Sequence, residues 1–171
     1  MRKVFLTLWV WLKCFTARLL WWIGDVDKEK DFIKSAFPGI PTLADMEAQK
    51  IRYIPDRVFG FIPWDYQFDS RMTFYRGGGD CNSLHRIIQV AAHNAGLEAY
   101  LVTYLAKPFI LSHTTCIIRE GRDWWVLDYG EKTLKSATIG EAISKCAEKY
   151  GSRLAAPGAW VIQDINWHIL Q

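Results

Sequence analysis

The residue best suited to covalent chemistry is Cys81, which follows Gly77, Gly78, Gly79 and Asp80 and heads a stretch of helical spacing. A thiol is a useful nucleophile near neutral pH only when its thiolate is stabilised. The positive end of a helix does this through its dipole and its backbone N–H groups. The glycines before Cys81 can take positive φ and turn the chain sharply, so a substrate backbone is expected to reach the sulfur without meeting a Cβ. The Cys81 N–H is then placed to donate to a developing oxyanion. A lone cysteine is ordinarily a small buried residue, but the Gly-Gly-Gly-Asp-Cys junction at a helix start argues for a nucleophile.

Such a thiol needs a base, and the chain has four histidines. His85 and His93 lie on the Cys81 helix, where they read as helix-surface or partly buried residues, and His168 lies near the C-terminus. His113 heads a β-like stretch, and a neutral imidazole there needs a partner on its second nitrogen to fix its tautomer and steady the imidazolium. Asp128, near the end of the next stretch, can supply it. With Glu120 and Gly121 as the two loop residues of a hairpin, His113 sits directly across from Asp128, with Cβ atoms about 4.5–5.5 Å apart. A slip of one residue would put the two on opposite faces.

A metal site is the rival chemistry. Cys81 and His85 are one helical turn apart, and His113 or Cys116 would face them, but no paired-ligand spacing supports the second half. No metal and no cofactor are expected. Cys116 and Cys146 read as core packing.

The elements that must position these residues can be read from periodicity. Leu84, Ile87, Ile88, Ala91 and Ala92 recur at helical spacing and Gly96 ends the run, predicting a helix from about Cys81 to Ala95. Strands are expected over 98–105, 112–119, 124–129 and 159–165. Thr138 and Glu141 open a further helix that closes at Gly151. Between Gly24 and Gly79, prolines at 38, 41, 55 and 63 break the pattern into short helices joined by ordered loops, with a helix over 43–51. Helices followed by an antiparallel meander read as an α+β fold.

The chain has 171 residues, half of them hydrophobic, enough for one well-buried core. Its 21 Lys and Arg against 18 Asp and Glu are scattered rather than gathered into a stripe, which excludes nucleic acid as an implied partner. Four cysteines without CxxC pairs suggest neither a disulfide framework nor a structural zinc site, and point to a reducing, cytoplasmic setting.

Residues 4–23 are strongly apolar, but Lys13 and Arg18 interrupt what would have to be an unbroken membrane span. At helical spacing Val4, Leu8, Trp11, Leu12, Phe15, Leu19 and Trp22 fall on one side and the basic residues on the other. Docking of this helix on its own domain is preferred over peripheral contact with a membrane surface. A cleaved secretion signal is disfavoured, since no small-residue cleavage site follows. The chain thus divides into an amphipathic helix over 1–24 and one domain over 25–171.

The run GGGDCNSLHRIIQVAAHNAGLEAYLVTY, then Ser112-His113, then GRDWWVLD ending at Asp128, resembles the core of the transglutaminase-like superfamily, especially its small bacterial and phage cysteine-peptidase-like members. The resemblance spans roughly 51–130. It implies a papain-like core, with Cys81 as nucleophile, His113 as base and Asp128 as orienting acid, acting on amide bonds of a protein or peptide substrate. Members cleave peptide or isopeptide bonds, transfer acyl groups to amines, or deamidate glutamine. Many carry an acidic residue where this chain has Asn82, and an aromatic residue where it has Thr114 and Thr115. An upstream Trp or Tyr often helps hold the oxyanion; Trp64, Tyr66 and Tyr75 are the candidates. A catalytically inactive binding or scaffold module on the same fold is the alternative.

Overall fold

The structure, a computed structural model, describes residues 25–55, 57–58, 62–63, 69–104, 113–149 and 160–170, together with Val4, Thr7, Leu8 and Leu12. Its helices are α1 (Val26–Ala36), α2 (Leu43–Ala48), α3 (Ser70–Arg76), α4 (Cys81–Asn94) and α5 (Ile139–Lys149). Three short strands, β1 (Arg52–Tyr53), β2 (Arg57–Val58) and β3 (Ile62–Pro63), precede β4 (Gly78–Gly79), which pairs in parallel with β1. The main sheet is antiparallel, in the order β8 (Glu131–Ser136), β7 (Asp123–Asp128), β6 (His113–Glu120), β5 (Glu98–Tyr104), β9 (Trp160–Gln163). The fold is therefore α+β, with the helix that starts at Cys81 packed on a five-stranded antiparallel sheet.

Helix α4 begins where expected because Asp80 caps it: its Oδ1 accepts from the N–H groups of Asn82 and Ser83 at 3.1 and 3.3 Å. It ends in a Schellman arrangement. Gly96 takes φ +78°, its N–H donates to the His93 carbonyl and the Leu97 N–H to the Ala92 carbonyl. Every residue from Cys81 to Ala92 is buried, so the polar side chains among them need partners inside the protein. Arg86 has them: Nη2 and Nε donate to the two Glu29 oxygens at 2.6 and 3.1 Å, Nη2 also reaches the Ile165 carbonyl, and the guanidinium lies 4.1 Å from the Trp167 ring centre. Glu29 in turn accepts from the Ser70 N–H and hydroxyl, both at 2.7 Å.

Four layers result. Helices α1 and α3 lie on one side of α4, the sheet on its other side, and α5 on the far face of the sheet. The pleat sorts the core accordingly. Cys116, Ile118 and Leu127 pack with α4, whereas Tyr104, Ile117 and Val126 pack with Ile143 and Cys146 of α5.

Two sequence expectations change. The β6–β7 loop is Gly121-Arg122, not Glu120-Gly121: Glu120 pairs with Asp123 and Arg119 with Trp124, with Gly121 at φ +62°. A move of two residues preserves the pleat, so His113 and Asp128 still share a face, but diagonally rather than directly opposed. Helix α2 stops at Ala48, before the predicted Ile51, because Lys50 takes φ +62° and sends Ile51 back to bond the Met46 carbonyl at 2.9 Å. Val4, Thr7, Leu8 and Leu12 are helical, and Val4, Leu8 and Leu12 are exposed. The rest of the predicted N-terminal helix lies outside the described residues. Among those described, no helix is long and apolar enough to cross a membrane.

Candidate active site

Cys81 is the first residue of α4 and is 7% exposed. His113 is the first residue of β6, and Asp128 the last of β7. The pleat turns His113 and Asp128 toward the α5 face. Asp128 Oδ2 accepts there from Lys149 Nζ at 2.7 Å, while Tyr104, opposite His113, donates to the Ile143 carbonyl. The meeting with α4 takes place at the open end of these strands, where β6 begins and β7 ends, and it is made by His85.

His85 is fully buried. Its Nδ1 is 2.7 Å from the Cys81 carbonyl, its Nε2 accepts from the Tyr129 N–H at 3.2 Å, and its ring stands edge-on to the His113 ring with centroids 6.1 Å apart. A carbonyl can only accept and an N–H can only donate, so the proton of this neutral imidazole sits on Nδ1. Burial pushes the His85 pKa below its ordinary value, against weaker opposition from the Cys81 carbonyl, the Asp128 carboxylate and the Leu127 carbonyl. One ring thus touches the main chain of Cys81, the peptide that follows Asp128, and the side chain of His113.

Tyr129 is a residue of the site that the sequence did not single out, whereas His85 reads there only as a helix-surface or partly buried residue or as a ligand of the rival metal site. With Gly130 it forms the β7–β8 turn, at φ +50° and +90°, the pattern of a type I′ hairpin in which Asn-Gly is usual. Its ring packs 4.8 Å from His85. Burial pushes its pKa up, and the nearby acidic groups of Cys81, Tyr53, Asp128 and Asp80 disfavour a phenolate further, so it keeps its proton.

The glycines have another use than expected. A Cβ on Gly78 would lie 1.9 Å from the Arg52 carbonyl oxygen, and one on Gly79 2.5 Å from Ser83 Cβ. Their missing side chains make room for β1 and for the first turn of α4, not for a substrate backbone; only Gly77, at φ +72°, serves the sharp turn. Thr114 shares a hydrogen bond with Thr103, and Thr115 meets Cys146, so both threonines are internal packing. Tyr75 is 88% exposed and points into solvent, while Trp64 and Tyr66 lie outside the described residues.

Among the described residues, Cys81, Cys116 and Cys146 are thiols outside any disulfide. Burial pushes the Cys116 and Cys146 pKa values up, which makes both poor nucleophiles. The rival metal site loses its His85 ligand, since both ring nitrogens are committed to the main chain. Among the described residues no group of three or more His, Cys, Asp or Glu could hold a metal ion. Compared with known proteins, the chain matches no family model and no curated protein.

Proposed function

We propose that this chain is a transglutaminase-like thiol enzyme with a papain-like core, acting on amide bonds of proteins or peptides. Cys81 is the nucleophile, His113 the base and Asp128 the acid that orients it. The observation that carries the reading is the convergence on His85: the head of the thiol's helix, the start of the imidazole's strand and the end of the carboxylate's strand all meet one buried ring. In the reaction the Cys81 thiolate adds to the amide carbonyl carbon, the C–N bond breaks, and the His113 imidazolium gives its proton to the departing nitrogen. The resulting thioester is released by water, giving hydrolysis or deamidation, or by an amine, giving transamidation.

Alkylation by iodoacetamide near neutral pH, read by peptide mass spectrometry, tests this. Cys81 should label far faster than Cys116 and Cys146 and lose that advantage in His113→Ala. Equal rates would instead favour a binding module that keeps the fold without catalysis, a reading that draws on the Asp128–Lys149 ion pair, which neutralises the acid. With activation shown, exposing lysate proteins to wild type and to Cys81→Ala separates the reactions: new termini, crosslinks or one-dalton deamidations.

A further inference from the structure

We infer that His85 is a positioning residue of the thiol site, holding the head of the Cys81 helix and the turn after Asp128 in one frame against which the His113 ring is set. This rests on the proposed thiol-enzyme reading.

A buried imidazole is costly unless both nitrogens are satisfied. Here each bond goes to a place that matters for the proposed chemistry. Nδ1–H donates to the carbonyl of Cys81 itself, and Nε2 accepts the N–H of the residue directly after Asp128. The two bonds bridge α4 and the β7–β8 turn, elements far apart in sequence that must stay in register for a sulfur, an imidazole and a carboxylate to act together. Small misplacements of such groups cost much in rate. The His113 ring stands edge-on to the same ring, and Tyr129 covers it from the turn. An apolar residue could fill this volume but could not tie the two main chains.

The ring works only while neutral. The titratable groups that face it are Cys81 at the head of α4, His113 from β6, Asp128 from β7 and Tyr129 from the turn. Protonation would turn Nε2 from acceptor to donor, set it against the Tyr129 N–H, and leave the Leu127 carbonyl as its better partner. The turn that follows Asp128 would then shift.

The test uses the full chain and iodoacetamide, following the Cys81 alkylation rate as a function of pH. In His85→Phe, shown folded by cooperative urea unfolding, the Cys81 rate at neutral pH should fall by about tenfold to a hundredfold. The midpoint of its pH profile should move up toward the ordinary thiol value of about 8.5. His85→Asn, which keeps a polar atom near Nδ1, and His85→Gln, which keeps one near Nε2, should each recover part of the loss. A folded His85→Phe that labels with the wild-type rate and midpoint overturns the role of His85, while loss of labelling in His113→Ala keeps the enzyme reading. A wild-type Cys81 no faster than Cys116 and Cys146 overturns both. Nitrogen-15 spectra of the wild-type ring decide the matter without a variant: a neutral ring protonated at Nδ1 supports the arrangement, and one protonated at Nε2 overturns it.

Discussion

Gly78 and Gly96 show how two glycines with positive φ can matter for different reasons. At Gly96 a Cβ would meet nothing within 4 Å, and the objection to a side chain is backbone strain at φ +78° alone. Gly96→Ala should therefore cost about 1–2 kcal/mol, the usual penalty of a left-handed L-residue. Gly78 has φ +146°, and its added Cβ would also lie 1.9 Å from a backbone oxygen of β1, which cannot swing aside as a side chain can. Gly78→Ala should lose the strain term and an overpacking term of about 1–3 kcal/mol besides. Urea unfolding of the two variants checks the order; a Gly78→Ala protein as stable as Gly96→Ala would mean that β1 and β4 are not clamped as described. At this scale the sequence was legible in identity but not in use. The glycine run flags a special backbone, yet which neighbour fills the missing side chains depends on Arg52, some twenty-five residues upstream in a segment without clear periodicity.

Among the elements, α4 could be read almost to the residue, since its cap, apolar spacing and terminal glycine all act locally. The strands around it were placed to within a residue or two, but β8 was not foreseen. Glu131–Ser136 is an edge strand exposed along most of its length, and its Glu-Lys-Thr-Leu-Lys-Ser sequence carries no apolar alternation to betray it. The β6–β7 register was out by two because Gly121 fits either position of the loop, and only the sheet decides. His85 was hidden for a related reason: a polar residue on a helix looks like surface until the start of β6 and the Tyr129 turn enclose it. On the other side of α4, covering by α1 and α3 explains the Arg86–Glu29 pair, whose side chains are 1% and 2% exposed. Glu29→Gln would leave a guanidinium enclosed without its counter-charge, and should cost about 3–5 kcal/mol. Replacing both, Glu29→Leu with Arg86→Met, should cost much less, since well-packed apolar residues often stand in for buried ion pairs. Thermal unfolding of the single and double variants decides; equal losses would show that packing rather than charge sets the cost.

For the molecule as a whole, these buried groups imply a stability that falls in acid in two separable steps. His85 has its folded pKa depressed by burial, so as pH falls through its unfolded value of about 6.5 the unfolded chain takes up a proton that the folded one refuses. Stability is then lost at up to about 1.4 kcal/mol per pH unit for that proton. His93, depressed by burial too, adds a smaller share because it is less enclosed. Glu29 acts lower. Burial raises its pKa, but the Arg86 charge and the bonds from Arg86 and Ser70 together outweigh that and hold it below the ordinary carboxyl value. Its contribution is complete above about 4.5 and disappears as pH falls further, alongside the capping carboxylates Asp25, Asp45 and Glu141, whose pKa values are also lowered. Urea unfolding at half-unit steps from pH 7.5 to 4 should therefore show a decline beginning near 6.5, before any carboxylate titrates. His85→Asn should flatten the upper part of that decline and leave the lower part intact, whereas Glu29→Gln should do the reverse. A stability that stays level from pH 7 to 5.5 would mean that His85 accepts a proton in place, and that the frame around Cys81 tolerates the charge.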